Sequence, residues 1–184
     1  MADFNKSFEL LAKFEFNNSA NILHKNPNET GLTYWGIYET ANPSWQWWNI
    51  IKQEIQKTGS IKQASINLSK NQDLTLDVMR FYKKNYWDSI NLNYIESQKV
   101  CDEMFMFGVN CGIKQAVKLA QRVVGVADDG VIGNQTIQAI NNYDENDFDR
   151  EFDIEEMKYY DSIIQKNPSL KIYRNGWYNR ANSI

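Results

Sequence analysis

The chain has little of what several common kinds of catalytic site require. Its 184 residues include two cysteines, three prolines and one histidine. Two cysteines and His24 are too few ligands for a Cys/His zinc cluster, so we expect no metal site. Nucleophilic catalysis assisted by histidine would have to use His24 alone. Carboxylates are therefore the strongest catalytic candidates, and their chemistry calls for no metal or organic cofactor.

A disulfide is not expected either. Cys101 and Cys111 fall in one predicted helix, where ten residues of rise separate them by about 15 Å. A disulfide needs Cα atoms within about 7 Å. Both cysteines are therefore interpreted as small buried apolar residues.

The sequence also lacks an excess of positive charge and a long apolar run. Lysine and arginine number 20 against 23 acids, a net charge of −3, which has the wrong sign for electrostatic binding of nucleic acid. No apolar run is long enough to span a bilayer, and residues 1–7 lack the pattern of a secretory signal peptide. We therefore expect a protein made in the cytoplasm, with no nucleic-acid partner and no stable membrane insertion.

Helical periodicity dominates what remains, so we predict an all-α protein. Asp3 is the expected cap of the first helix, and Ser60 with Gln63 forms a capping-box pattern. The charges of the acid-rich stretch 144–156 are assigned to a solvated face and to a first helical turn. Helices are predicted over residues 4–15, from 43 to 58, after Ser60, from about 75 to 87, over 95–124, over 134–140 and after the acid-rich stretch.

Small residues mark one side of the predicted 95–124 helix. Gly108, Gly112 and Ala116 lie four residues apart, which leaves that side nearly bare. The pattern favours close approach of another helix, and exposure to a ligand is the alternative.

Glu15 is the first candidate site residue. It closes a helical stripe of Phe4, Phe8, Leu11 and Ala12, so its carboxylate is expected to point toward the apolar side of the helix. A carboxyl group in such surroundings keeps its proton more readily and can act as a general acid. The alternative is a helix-end glutamate that reaches water or caps backbone groups.

Aromatic residues follow in the next segment. Tyr34 and Trp35 have the apolar rings and polar groups that suit a sugar-binding cleft, although such residues serve helical cores equally well. Trp45, Trp47 and Trp48 are assigned to the core or to a junction between lobes.

Several segments, taken in order, resemble one known family. Glu15, the polar loop 26–31 and the segment 31–37 resemble the N-terminal half of glycoside hydrolase family 108, the N-acetylmuramidases. The later segments resemble the predicted peptidoglycan-binding region attached to those enzymes: 86–88, 107–112, 120–122, 129–136 and 176–180.

The resemblance implies a fold and an activity. The fold is all-α, with a lysozyme-like helical lobe over residues 1–92 packed against a smaller helical peptidoglycan-binding lobe over 93–184. The activity is hydrolysis of the β-1,4 linkage between N-acetylmuramic acid and N-acetylglucosamine in peptidoglycan, with Glu15 as general acid.

The resemblance also suggests roles for individual residues. The second catalytic acid is left open among Glu29, Glu39 and Asp88. Asp129 and Gly130 are expected to form a turn, with a contact to peptidoglycan as the alternative. The remaining substrate-binding candidates are Thr33, Tyr34, Trp35 and Asn110.

Two departures from the family pattern keep other functions open. Phe16-Asn17 follow Glu15 where the family has two glycines, and Asn28-Glu29-Thr30-Gly31 replace its Asp-x-Gly-Gly. A catalytically degenerate protein that binds peptidoglycan or assists secretion is one alternative, and a helical interaction protein without a glycan role is another. With no signal peptide, a muramidase would need a holin or a secretion route to act in the periplasm or cell wall.

Overall fold

The computed structural model describes residues 1–27 and 29–184. The chain folds as two compact units, which we call the first unit (residues 8–82) and the second unit (residues 1–7 and 83–184). Helices dominate both, and the one sheet among the described residues has three very short strands. The predicted all-α class is confirmed, since the fold is mostly helical and the sheet is small. The assignment of catalysis to residues 1–92 and of peptidoglycan binding to 93–184 stays a prediction.

The first helix, α1, has the predicted bounds, Phe4–Glu15. The Asp3 carboxylate accepts a hydrogen bond from the Asn5 amide at 2.9 Å, as expected of an N-cap. Phe8 and Leu11 of this helix are buried in the core.

A small antiparallel sheet follows α1 in the first unit. Its strands β1 (Leu23–His24), β2 (Thr33–Tyr34) and β3 (Ile37–Tyr38) pair in sequence order. Leu23 lies opposite Tyr34, and Tyr34 lies opposite Ile37. The Leu23 amide also donates to Ser65 Oγ at 3.0 Å, which connects the sheet to the helices that follow.

Those helices are α2 (Trp48–Thr58), α3 (Ile61–Leu68) and α4 (Gln72–Tyr82). The prediction that α2 begins at Asn42-Pro43 is wrong. The Asn42 carbonyl instead accepts hydrogen bonds from the Trp45 amide at 3.1 Å and the Trp48 indole at 2.8 Å. These bonds hold the segment before Trp48 in turns.

The end of α2 and the start of α3 follow the predicted local signals. Gly59 ends α2 in the left-handed conformation, with φ of 65°. Ser60 Oγ accepts a hydrogen bond from the Gln63 amide at 3.3 Å and so caps α3.

The second unit opens on tight helical turns and continues with longer helices. A π-helical turn, Lys83–Trp87, precedes short 3₁₀ turns at Asp88–Ile90 and Leu92–Tyr94. The α-helices are α5 (Gln98–Cys111), α6 (Ile113–Val123), α7 (Asn134–Asn141), α8 (Glu145–Lys166) and α9 (Arg174–Ala181), with a 3₁₀ segment at Pro168–Tyr173 between the last two.

The single helix predicted over 95–124 is wrong, because Gly112 breaks it. Gly112 has φ of 93° and ψ of 140°, and no atom lies within 4 Å of where its Cβ would be. A Cβ on Gly108 would lie 3.6 Å from Ala116 Cβ. Gly108 therefore faces α6 as predicted for close helix approach, whereas Gly112 supplies the bend between α5 and α6.

Aromatic rings fill the interior of the second unit. Phe148 and Phe152 of α8 are stacked with centroids 5.4 Å apart, and Phe107 of α5 meets Phe152 edge-on at 5.9 Å. Both cysteines have free thiols; Cys101 is buried as expected, whereas Cys111 is only half-buried. Within the described residues, no helix is long and apolar enough to cross a membrane.

Candidate functional site

The turn between β2 and β3 is the best-defined feature near the predicted cleft. Trp35 and Gly36 form a two-residue turn, and their φ angles are 48° and 72°. Two positive φ values are typical of a type I′ turn, which suits the twist of an antiparallel pair. A Cβ on Gly36 would lie only 2.6 Å from Tyr82 Oη, so glycine is required there for space as well as for conformation.

Three aromatic side chains hold Trp35 in place. Phe8 stacks on its ring at a centroid distance of 5.9 Å, and Phe16 contacts it at 4.7 Å. Tyr82 Oη donates a hydrogen bond to the Trp35 carbonyl at 2.7 Å. Trp35 itself is half-buried. Since Phe16 directly follows Glu15, these contacts place the hairpin turn beside the end of α1.

Glu15 occupies the last position of α1 and is exposed. The expectation that its carboxylate lies on the apolar side of the helix is wrong. The stripe of Phe4, Phe8 and Leu11 is buried, but the burial does not extend to Glu15. An exposed carboxylate at this position is accessible to a bound molecule.

Thr33 and Tyr34 of β2 are buried, whereas residues that line an open groove would be exposed. Thr33 is 7% exposed and Tyr34 is 0% exposed, and burial raises the pKa of the Tyr34 hydroxyl. The ring of Tyr34 packs near that of Trp45, at 6.2 Å. The prediction that Tyr34 lines a sugar cleft is therefore corrected: it is a core residue of the first unit.

Glu39 closes the hairpin segment. Its carboxylate forms an ion pair with Lys52 at 2.5 Å and accepts a hydrogen bond from the Leu32 amide at 3.0 Å. These two bonds, first that from Lys52, lower the pKa of Glu39 and keep it ionised. Both carboxylate oxygens thus have a structural role.

The other candidates for a second acid are held differently. Glu29 is half-buried and accepts a hydrogen bond from Asn26 Nδ2 at 3.0 Å.

Asn28, part of the segment compared with the family pattern, lies outside the described residues. Gly31 lies tight against Thr40, because a Cβ there would be 2.8 Å from Thr40 Oγ1.

Asp88 belongs to the second unit and is exposed. It pairs with Lys83 at 2.5 Å and accepts a hydrogen bond from Asn93 Nδ2 at 2.6 Å. Although desolvation acts to raise the pKa of Asp88, these partners lower it below its ordinary value. The contacts join the π-helical turn to the 3₁₀ turns that follow it.

Asp129 and Gly130 lie in a turn that contacts α6. The buried side chain of Gln121 donates to Asp129 Oδ1 at 2.8 Å and accepts from the Gly130 amide at 2.8 Å. A Cβ on Gly130 would lie 2.7 Å from Lys114 Cγ. The structure accordingly supports the turn interpretation of both residues.

Asn110 lies at a cavity of about 400 Å³ in the second unit. The cavity lies between the end of α5, α8, the 3₁₀ segment and α9. Its walls combine apolar, aromatic and polar side chains, including Asn110, Tyr160, Ile163, Leu170, Trp177 and Arg180. Trp177 and Arg180 belong to the segment 176–180, which resembles the peptidoglycan-binding region, and they line the same cavity as Asn110.

The sequence patterns did not predict a group of acids in the interior of the second unit. Glu103 of α5 is 0% exposed and Glu156 of α8 is 2% exposed. Burial, then the proximity of Glu156, Asp153 and Asp149, raises the pKa of Glu103 well above its ordinary value. Burial likewise raises the pKa of Glu156 to about 8 and that of Asp153 to about 6.

Glu156, which is buried, and Asp153, which is half-buried, correct part of the assignment of the 144–156 charges to a solvated face. Glu145 and Asp147 are exposed in the first turn of α8, as expected. The signal available in the sequence was Glu103, which directly precedes the apolar run Met104 to Phe107 in the most strongly periodic segment.

No group of acids, cysteines or histidine among the described residues is arranged to hold a metal ion.

Residues 21–112 match the family described as Glycosyl hydrolase 108. The chain belongs to this family. Residues 115–182 match a second family, described as Predicted Peptidoglycan domain. The chain is therefore a glycoside hydrolase that acts on peptidoglycan. Glu15 lies before the first matched range, so the match does not assign its role.

One solved structure similar to the chain is that of Brucella abortus SagA. It has a TM-score of 0.64 and 21% sequence identity, over 97% of this chain and 89% of SagA. Identity at this level concerns the fold alone. No curated protein sequence matches the chain.

Proposed function

We propose that this family 108 glycosidase cleaves the β-1,4 linkage between N-acetylmuramic acid and N-acetylglucosamine, with Glu15 as general acid. The observation that carries the proposal is the contact between Phe16 and Trp35, 4.7 Å between ring centroids. The contact supports the proposal because Phe16 directly follows Glu15, the last residue of α1, and Trp35 lies in the hairpin turn of β2 and β3. An exposed acid next to a half-buried tryptophan offers a proton donor and an apolar surface together.

Cleavage of a glycosidic bond requires a proton at the leaving oxygen and stabilisation of an oxocarbenium-like transition state. Glu15 is accessible for the first task. For the second, Glu29 is the better candidate in the first unit, because its bonded partner Asn26 is neutral. Glu39 is committed to Lys52 and to the Leu32 amide.

The test is a peptidoglycan zymogram of the wild type beside the variants Glu15→Gln and Glu9→Gln. Glu9 is an exposed glutamate of the same helix and serves as the matched control. Glutamine keeps the size of the side chain but cannot deliver a proton. We expect Glu15→Gln to abolish clearing and Glu9→Gln to leave it unchanged. Wild-type clearing by Glu15→Gln would show that Glu15 is not the acid.

A second candidate function is a protein that binds peptidoglycan, or assists secretion, without cleaving it. Phe16 favours it, because this bulky residue fills space beside Trp35 where the family has a glycine. The same experiment separates the two functions when a pull-down on insoluble peptidoglycan accompanies it. Binding without any clearing by the wild type would favour the second function.

The substrate places the proposed site of action at the cell wall. We further propose that the protein reaches it with the help of a holin or a secretion system. Deleting the candidate export gene in the producing cell should retain the protein inside and leave its activity in lysates unchanged. Undiminished release after the deletion would reject that export route.

A further inference from the structure

We propose that the cavity between α8 and α9 binds the stem peptide of peptidoglycan through a free carboxylate on that peptide. The inference rests on peptidoglycan being the substrate and adds a second recognition site to the proposed function. A volume of about 400 Å³ is within the range of pockets that hold small ligands.

The polar groups at this cavity suit a carboxylate and a peptide backbone. Arg180 is half-buried in α9 and lines the cavity, and a guanidinium is the side chain best matched to a carboxylate in a bidentate pair. Asn110 lies exposed at the end of α5 and offers an amide that both donates and accepts. Ile163 and Leu170 supply apolar wall for alanine methyl groups.

The aromatic residues favour a peptide over a sugar ring. Trp177 is stacked against Tyr160 at 5.1 Å and against Tyr173 at 5.9 Å. Its ring thus stacks on two tyrosines of the same unit, which leaves less of the ring for stacking on a pyranose.

The neighbouring charges are compatible with an anion. Burial raises the pKa of Glu156, which interacts with Arg180, to about 8. At pH 7 most of the Glu156 carboxyl groups are therefore neutral and do not repel an incoming carboxylate. Tyr159 and Tyr160, the tyrosines of α8 that line the cavity, also have pKa values raised chiefly by burial and stay neutral.

The experiment titrates the full chain with three soluble probes. These are the tetrapeptide L-Ala-γ-D-Glu-L-Lys-D-Ala, the same peptide with amidated carboxylates, and an N-acetylglucosamine oligomer. The readout is the Trp177 indole N–H resonance, assigned with the Trp177→Phe variant. We expect this resonance to shift with the free-acid peptide, at least tenfold more weakly with the amidated one, and to be unaffected by the oligomer.

Two variants and a control test the residues. Arg180→Gln should weaken peptide binding at least tenfold, whereas Arg150→Gln, at an exposed arginine of α8, should change it less than twofold. Leu170→Trp should fill the cavity and block binding without removing a charge, and thermal unfolding checks that each variant is folded. Equal binding by Arg180→Gln and the wild type, or a response of Trp177 to the oligomer instead of the peptide, would overturn the proposal.

Cleavage assays in parallel keep this inference separate from the muramidase assignment. Arg180→Gln should still cleave glycan chains from which an amidase has removed the stem peptides. If the wild type does not cleave these chains, the proposed muramidase activity is wrong. If the wild type cleaves them but does not bind the free-acid peptide, only the cavity proposal is wrong.

Discussion

Replacing Glu156 with glutamine should make the stability of the protein less dependent on pH. Glu156 is 2% exposed, and burial raises its pKa from 4.5 to about 8. The charged groups that face it are Glu103 of α5, Asp153 of α8 and Arg180 of α9. Between pH 4.5 and pH 8 the folded protein keeps the Glu156 proton, whereas the unfolded chain has lost it.

The sign of the effect follows from this difference in bound protons. The folded state binds more protons, so the free energy of unfolding falls as the pH rises through this window. At pH 7 the shift costs about 3 kcal/mol, taking about 1.4 kcal/mol for each pKa unit. A buried glutamine avoids that cost, but burying its amide costs about 1–3 kcal/mol at every pH.

The two stability curves should therefore cross. At pH 5 the variant Glu156→Gln should be less stable than the wild type, and at pH 8 it should be more stable by about 1–3 kcal/mol. Urea denaturation at pH 5, 6, 7 and 8 measures both curves. Glu155→Gln, a change at the preceding residue of α8, is the control and should retain the wild-type dependence on pH. Parallel curves for Glu156→Gln and the wild type would refute the reasoning.

Three further changes test the local structure. Gly36→Ala should lower the free energy of unfolding by about 1–3 kcal/mol, measured by thermal denaturation, because of its positive φ and the nearby Tyr82 hydroxyl. Gln121→Leu should destabilise by a similar amount and speed hydrogen exchange at the Gly130 amide, since Gln121 accepts its hydrogen bond. Ser60→Ala should cost about 1 kcal/mol in urea denaturation, through loss of the α3 cap.

Local signals predicted the helix ends that depend on local chemistry. Glu15 ends α1, Gly59 ends α2, and Ser60 caps α3, as the sequence indicated. Each rests on backbone groups within a few residues, so no knowledge of distant contacts is needed. The late start of α2 does not follow from such local signals. There the Trp48 indole, six residues along the chain, donates a hydrogen bond to the Asn42 carbonyl.

The break at Gly112 was hidden by the spacing of the small residues. Gly108 and Ala116 keep the four-residue period across the break, yet they face each other from two helices. A continuous apolar period is compatible with one long helix and with two that pack together. The glycine conformation that distinguishes them is set by the packing of α6 on α5.

The sequence predicted which segments form the candidate site, but not how deeply their side chains are buried. The family resemblance brought Glu15 and the segment 31–37 together, and the Phe16–Trp35 contact supports that placement. Burial of Tyr34 and exposure of Glu15 depend on where the helix ends and how the hairpin packs. The burial of Glu103 and Glu156 was not predicted, because a charged side chain normally favours the surface. Their raised pKa values keep these carboxyl groups protonated, and a protonated carboxyl group tolerates burial.

Phe16, which follows Glu15 where the family has a glycine, affects how the end of α1 packs on the hairpin turn. A glycine there would leave the side of Trp35 open, whereas Phe16 covers it and also reaches 3.5 Å from the position of a Cβ on Gly36. Side-chain packing thus fixes the distance between the end of α1 and the hairpin turn. Phe16 packs on Trp35, whereas Glu15, the residue before it, is exposed. The departure from the family pattern therefore changes the surroundings of Glu15, which remains the last residue of α1.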